Sequence, residues 1–488
     1  MASRLSAGDL ALLALETPRT PMHNATLEIF EPGDDGFDYD RLRALVEDRL
    51  AFVPRYRKRL RTVPGGLGTP IWVDDENFDL SYHVRRSALP SPGDDDQLRD
   101  LVGRIMSRRL DAARPLWEVY VIEGLQRGRV AMFTKSHQVL VDGSATVDLA
   151  QVLLDSTPDP REMVVDDWMP RSEPRAPGLI AGAVRDNLAD PEQAVTTVRA
   201  GADALGRRAA KRLRPVARVA RALTPGGETA TESMLSAKPS EQRRLATLAT
   251  DLDDYRQVRE VHGGTVNDVI LATVTGGIRN WLMTRGQSLG AHASLEAMVP
   301  MSVQDDELAP TSLGAQVAGH ELKLPIGETS AVVRLHQVSY ALTAHKETGK
   351  SVAANRLAGI AGFAPTTFHA LGTRVALEHR RRDIDLVITN VPGPQFPLYA
   401  AGAQMLSTYP VPPLQPASAL AIGVTSYDGH VFYGLTADRD AIPDVDVLAA
   451  CIAEALEELV DSASDLAVRA PRGLSRRRPK RPSDDEHS

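Results

Sequence analysis

The sequence predicts an α/β protein of two globular parts joined by a helical crossover. Three observations carry this. At 488 residues the chain is too long for one ordinary hydrophobic core. Helical and strand-like patterns alternate along most of its length. A stretch rich in Pro, Gly, Ala and Arg separates two regions of ordinary globular composition.

Each element follows from its own pattern. Leu42, Leu45, Val46, Leu50 and Val53 recur at helical spacing and predict an amphipathic helix over 39–53. Leu98, Leu101, Val102, Ile105 and Met106 predict another over 96–110. Trp117 to Glu123 and Arg129 to His137 read as strands, joined by the turn Gly124-Leu-Gln-Arg-Gly128. The resulting hairpin presents His137 at its far end. Pro and Gly cluster over 170–178 and again at Pro225-Gly226-Gly227. Between them, Arg199 to Arg221 carries eight basic residues among small apolar ones, interrupted by Pro215. A helix of this kind either lies on anionic lipid or packs by its Ala face. The second globular part begins near Leu245 and ends near Val468, and the charged tail after Pro471 is expected to be disordered. The expected division is 1–165, 166–243, 244–470 and 471–488.

Composition narrows the function classes. The chain is 43% hydrophobic and 25% charged, as globular proteins are. A net charge of -8 argues against a general nucleic-acid binder. The single cysteine, Cys451, excludes an intramolecular disulfide and a Cys-rich metal site. Its helical, apolar surroundings mark it as a small buried hydrophobe. No metal is expected. Met1 to Asp9 lacks the apolar segment of a signal peptide, and no run approaches the ~18 apolar residues of a membrane span. The expected location is cytoplasmic, with contact at the inner membrane or a lipid inclusion as a further option. The excess of Arg over Lys and the many Ala fit a high-GC bacterial genome.

The chemistry concentrates in Lys135-Ser136-His137-Gln138-Val139-Leu140-Val141-Asp142-Gly143. Acyl transfer from a thioester to a hydroxyl needs a base for the hydroxyl proton, donors for the developing oxyanion and a dry channel. A His at the end of a strand, before an Asp-Gly turn and a helix from about Ser144, suits the first task. Asp142 can brace the loop, and Gly143 allows close backbone approach. The spacing His-x-x-x-Asp-Gly is by itself a weak motif.

Its surroundings make it specific. Leu5-Ser-Ala-Gly-Asp9, Glu16-Thr-Pro-Arg-Thr-Pro-Met-His23, Pro115-Leu116-Trp117-Glu118, Thr265-Val-Asn267-Asp268-Val-Ile-Leu271, Val299-Pro-Met-Ser-Val303, Thr389-Asn-Val-Pro-Gly-Pro394 and Ser426-Tyr-Asp-Gly429 accompany the block in order. Together they resemble the bacterial wax ester synthase/diacylglycerol acyltransferase family, over about residues 5 to 465. The resemblance implies two chloramphenicol-acetyltransferase-like domains with mixed sheets and a tunnel along their interface. It also implies acyl-CoA as co-substrate with no permanently bound cofactor. The acceptor would be diacylglycerol or a long-chain alcohol, and the product triacylglycerol or wax ester. By position it gives His137, Gln138, Asp142 and Gly143 as the catalytic block. Pro115, Leu116, Trp117, Asn267 and Asp268 would be substrate-facing.

One departure matters. The family's general base is the second His of a pair, and that position holds Gln138 here. An amide cannot take a proton near neutral pH. His137 stands one residue earlier, so strand alternation turns it toward the packed side. A structural His137 is therefore the plainer reading, as core packing is for Trp117 and helix capping for Asn267. The other His residues, such as His262 and His320, lack a neighbouring motif. An acyltransferase of reduced rate is the favoured expectation. The alternatives are a non-catalytic lipid or acyl-CoA binding protein, and an enzyme acylating another alcohol or an amine.

Overall fold

The structure, a computed structural model, describes residues 4–33, 37, 39–64, 68–141, 148–160, 168–189, 235–302, 316–347, 352–356, 365–378 and 384–469. Asp142, Gly143, the 199–221 segment and the tail lie outside them.

The first half supplies α1 (Ala7–Leu15), β1 (His23–Glu31), α2 (Tyr39–Arg49), β2 (Lys58–Arg61), β3 (Ile71–Asp74), α3 (Leu80–His83), β4 (Val84–Ala88), α4 (Asp95–Met106), β5 (Trp117–Glu123), β6 (Val130–His137), α5 (Leu149–Val152) and α6 (Ala176–Ala189). The second supplies β7 (Arg243–Asp251), α7 (Leu252–His262), α8 (Val266–Thr284), β8 (Leu295–Ser302), β9 (Gln316–Leu324), α9 (Ala331–Glu347), β10 (Val352–Arg356) and α10 (Pro365–Glu378). It continues with β11 (Leu386–Val391), β12 (Tyr399–Ala400), β13 (Ala403–Val411), β14 (Leu420–Tyr427), β15 (His430–Asp438) and α11 (Val445–Arg469).

Two mixed sheets organise these elements. The first runs β12-β13-β1-β6-β5-β4 and the second β10-β9-β8-β11-β14-β15-β7. Sheet membership does not follow chain order. β12 and β13 leave the second half and join the first sheet, where β13 pairs antiparallel with β1. Nothing in the local pattern of 399–411 announces this, because a strand's partner is chosen by long-range packing. The hairpin of β5 and β6 forms with the expected antiparallel pairing, and β6 lies between β1 and β5.

The faces of the first sheet differ. Ala25, Leu27, Ile29, Tyr120, Ile122, Ala131 and Phe133 pack under α4, whose Leu98, Val102, Ile105 and Met106 are buried. Phe30, Trp117, Val119, Val121 and Met132 share the opposite core with α2 and with Ala370 of α10. Burial of these apolar side chains is worth roughly 1.5–3 kcal/mol each, which makes the alternation of sides a strong constraint on register.

Both expected helices end early, for local reasons. α4 stops at Met106, where Lys135 Nζ donates to the carbonyls of Ile105 at 3.0 Å and Arg108 at 2.5 Å. A buried ammonium thereby satisfies carbonyls that the helix end leaves open. α2 gives way at Leu50 to a 3₁₀ turn, ahead of Pro54, whose ring disfavours helical backbone at Val53. Cys451 lies buried within α11.

Candidate active site

β1 and β6 run side by side, with His23 opposite His137 and Asn24 opposite Ser136. Successive residues alternate sides, so two different environments flank the block.

On the α4 side sit His23, Lys135 and His137. The His23 and His137 rings meet edge to face at 5.9 Å. Glu16 Oε1 lies 3.4 Å from His23 Nε2 and 3.7 Å from His137 Nε2, and Arg109 Nη2 donates to Glu16 Oε2 at 2.8 Å. Burial pushes the Glu16 carboxyl up, but its polar contacts with His137, His23 and Arg109 outweigh it and hold the group well below the usual carboxylate range. Burial, reinforced by Lys135, pushes His23 down to about 3. Lys135 is itself pushed down to about 8, chiefly by burial. His137 Nδ1 accepts the Val139 backbone N–H at 3.1 Å. That bond places the ring hydrogen on Nε2, which faces Glu16. Neither ring nitrogen has a lone pair free for a substrate. His137 thus knits the turn after β6 to α1 and α4.

On the other side sits Ser136, whose Oγ donates to Asp148 Oδ2 at 2.8 Å. Asp148 caps α5, with its Oδ1 accepting from Ala150 N at 3.0 Å, and its own N–H donates to Thr367 Oγ1 of α10 at 2.8 Å. Burial pushes Asp148 up to about 6. Burial, reinforced by the Asp148 charge, pushes the Glu28 carboxyl well above its ordinary value. Both Glu28 oxygens, Asn24 Nδ2, Thr134 Oγ1 and both amide atoms of Gln138 are buried without a hydrogen-bond partner among the described residues. Each such group costs ~1–3 kcal/mol. A cluster of them beside the block marks a place where polar ligand atoms would be welcome.

Gln138 follows directly, with its backbone N–H donated to Met22 O at 2.9 Å and its side chain fully buried. The remaining expected residues fall as follows. Trp117 donates from Nε1 to Tyr56 O at 2.7 Å and stacks on His83 at 4.5 Å, which makes it a core anchor. Leu116 is buried in the same core, and its carbonyl accepts the His137 backbone N–H at 3.0 Å; Pro115 precedes it. The capping role suggested for Asn267 falls instead to Thr265 and Asp268, which form a capping box at the start of α8. Asn267 is freed for β11, where its Oδ1 accepts from Asn390 Nδ2 at 2.8 Å.

Sequence reasoning missed Asp148 and His369. Asp148 had a signal: it stands six residues beyond Asp142 at a helix start. His369 had none, because its partner Thr389 is 20 residues away on β11. His262 bonds Ser462 Oγ at 3.0 Å, away from the block. Among the described residues no group of three or more His, Cys, Asp or Glu is placed to hold a metal ion.

Known proteins resemble this chain over most of its length. Residues 5–270 match the family model for the wax ester synthase/diacylglycerol acyltransferase catalytic domain, and residues 313–460 match that of its C-terminal domain. A Mycobacterium tuberculosis protein named probable diacylglycerol O-acyltransferase is 42% identical over 53% of this chain and 96% of its own. A second protein of that name from the same organism is 34% identical over 90% of this chain and 91% of its own. The solved wax ester synthase/diacylglycerol acyltransferase of Marinobacter aquaeolei VT8 superposes with a TM-score of 0.64, at 27% identity, over 95% of this chain and all of that one.

Proposed function

Since this chain belongs to the wax ester synthase/diacylglycerol acyltransferase family, we propose that it moves a long-chain acyl group from acyl-CoA to a hydroxyl of diacylglycerol or a long-chain alcohol. The products are free CoA and a triacylglycerol or wax ester. The observation that carries this reading is the match of both family domains across nearly the whole chain, with the block of β6 set where α10 of the second half meets the first sheet.

Acyl-CoA enters as co-substrate, and the reaction calls for no bound cofactor. The acceptor and product are water-insoluble, so the enzyme works at a membrane or lipid-inclusion surface. Among the described residues no helix is long and apolar enough to cross a membrane, so this reading has the chain meet that surface from one side. Asp142 and Gly143 would shape the loop after Gln138, and Asn267 would serve from the second half.

The rate is lower than a His at position 138 would give. His137 has its lone pair committed to Val139, and the Gln138 amide can orient a hydroxyl but not deprotonate it. Loss of a positioned base costs ~10²–10⁴-fold. Proximity and oxyanion stabilisation still leave real acceleration. The test compares native protein with Gln138→His, using labelled oleoyl-CoA and dioleoylglycerol. A faster variant supports the reading. Equal rates would show that Gln138 is no lesion. The buried, unpartnered amide also favours a second reading, a non-catalytic acyl-CoA binder. That reading requires acyl-CoA binding by calorimetry with no ester above background.

A further inference from the structure

We infer that this chain prefers, as acyl acceptor, a polyol lipid whose hydroxyls beyond the reacting one bond a row of side chains formed by Gln138, Asn24, Thr134 and Glu28; this rests on the proposed acyl transfer and goes beyond it in the acceptor. The row is set by register. On β1 and β6, Asn24 stands opposite Ser136, Thr26 opposite Thr134 and Glu28 opposite Met132. Gln138 extends the pairing by donating its backbone N–H to Met22 O at 2.9 Å. Alternation puts Asn24, Thr26 and Glu28 on one side with Thr134, Ser136 and Gln138. Diagonal neighbours across an antiparallel pair lie about 7–8 Å apart, so each of the four side chains adjoins the next. From Gln138 to the level of Glu28 the row runs about 20 Å. It occupies the side where Ser136 bonds Asp148 and Asp148 meets Thr367 of α10.

Every member of the row is buried with bonding capacity unused among the described residues. Both amide atoms of Gln138, Nδ2 of Asn24, Oγ1 of Thr134 and both carboxyl oxygens of Glu28 lack a partner. On the other side of the same strands the charged groups are engaged. Lys135 Nζ holds the carbonyls of Ile105 and Arg108, and Glu16 pairs with Arg109. Ala25, Leu27, Ile29, Ala131 and Phe133 fill the rest of that side. The unused groups thus line up from position 138 along one side only. A hydroxyl both donates and accepts, as do the Gln138 amide and the Thr134 hydroxyl, and the Asn24 amide NH2 donates. The raised Glu28 carboxyl favours its protonated form, which also donates and accepts. A ligand with hydroxyls in series satisfies all four. An aliphatic chain along them would leave each unpaired. A long-chain alcohol uses its one hydroxyl in the reaction. The ester oxygens of diacylglycerol sit beside its hydroxyl, and its acyl chains would meet the rest of the row.

A site built to hydrogen-bond a substrate hydroxyl strongly rejects an analogue that lacks it, because its own buried groups are then left bare. Gln138, Asn24 and Thr134 suit the hydroxyls of a glycerol head. Glu28, farther along, is reached only by a longer head such as a sugar. The reaction itself balances without the row. One acceptor hydroxyl oxygen attacks the thioester carbonyl carbon, the C–S bond breaks, and the hydroxyl proton ends on the departing thiolate. Ester and free CoA thiol leave, and the four side chains bind the head without exchanging a proton.

The test measures kcat/KM with labelled oleoyl-CoA for 1-monooleoylglycerol, dodecyl glucoside, dioleoylglycerol and hexadecanol. It compares native protein with Thr134→Val, Asn24→Leu and Glu28→Leu. Native protein is expected to favour one or both polyols over hexadecanol ~10²-fold or more. Thr134→Val and Asn24→Leu are each expected to shrink that preference ~10-fold or more, a change of selectivity that a merely structural role would not produce. An effect of Glu28→Leu on dodecyl glucoside but not on monooleoylglycerol assigns a sugar head. Effects of Thr134→Val and Asn24→Leu alone, on monooleoylglycerol, assign a glycerol head. The urea midpoint of Thr134→Val is expected at or above native, since the change removes an unpaired hydroxyl from a core. A midpoint well below native would mean that Thr134 is bonded within the fold, and overturns the inference. Equal rates for polyols and hexadecanol in native protein, or equal losses for all acceptors in the variants, overturn it while acyl transfer stands. Absence of ester from every acceptor, in native protein and in Gln138→His, overturns both.

Discussion

Burial and hydrogen bonding oppose each other at Asp148, and burial prevails. The carboxylate accepts from Ser136 and Ala150, yet its pKa rises to about 6 from an ordinary value near 3.8. The folded state therefore holds the Asp148 proton at pH values where the unfolded chain has released it. Stability from this group is fully present below about pH 4 and is lost as pH rises through about 6. The difference amounts to about 3 kcal/mol. Asn at this position keeps the Oδ1 acceptor for the α5 N-terminus, turns its amide NH2 toward Ser136 Oγ, which then accepts, and does not titrate. Urea midpoints of native protein and Asp148→Asn, taken from pH 4 to 7.5, should show the variant gaining on the native chain as pH rises. A constant gap across that range would mean that Asp148 is not ionising against its burial. At this scale the sequence is informative where geometry is local. The alternation of β6 tells which way His137 turns, and its ring lies on the α4 side. The register of Gln138 against Asp142 is countable. Asp148 and His369 become visible only when the chain is folded, because Asp148 meets Thr367 across 219 positions.

β13 shows what an element can demand of its neighbours. Its end, at Pro410, presses onto the hairpin of β14 and β15, where Gly423 and Gly434 face each other in register. A Cβ at Gly434 would sit 1.8 Å from Pro410 O, and one at Gly423 would sit 2.6 Å from Pro410 Cβ. The obstacle at Gly434 is backbone, which cannot rotate away. Gly434→Ala should therefore cost about 1–3 kcal/mol or more, the range of overpacking changes. Gly33→Ala serves as the control, since nothing lies within 4 Å of a Cβ there. Equal urea midpoints for the two variants would show that β13 can withdraw from the hairpin freely. The hairpin of β5 and β6 was legible because its strands are adjacent and joined by a Gly-bounded turn. The crossing of β12 and β13 was not, because 403–411 alternates like any strand and its partner β1 lies almost 400 residues earlier.

Across the molecule, the two halves share their structure at several separate places. β13 covers one side of β1 in the first sheet. α4 packs against β7, and a Cβ at Gly103 would meet the Arg243 carbonyl at 2.9 Å. Ser107 Oγ accepts from Arg243 N at 2.9 Å. Arg374 Nη1 of α10 pairs with Asp9 Oδ1 of α1 at 2.8 Å, both nearly buried. Arg49 of α2 makes a buried pair with Asp155, whose backbone in turn pairs with Tyr399 of β12. Breaking a buried pair of this kind from one side costs ~3–5 kcal/mol. With ties at both ends of the interface, neither half can open without losing contacts in the other. Urea unfolding followed by far-ultraviolet and near-ultraviolet circular dichroism should therefore give coincident single transitions. A fragment of residues 1–240 would lack β12 and β13 and leave β1 as an unpaired edge, a template for association. That fragment should aggregate when expressed alone and become soluble when residues 241–488 are supplied with it. Two separated transitions, or a soluble folded 1–240, would show that the halves are independent domains. In that case the placement of α10 over the block would depend on a separable interface.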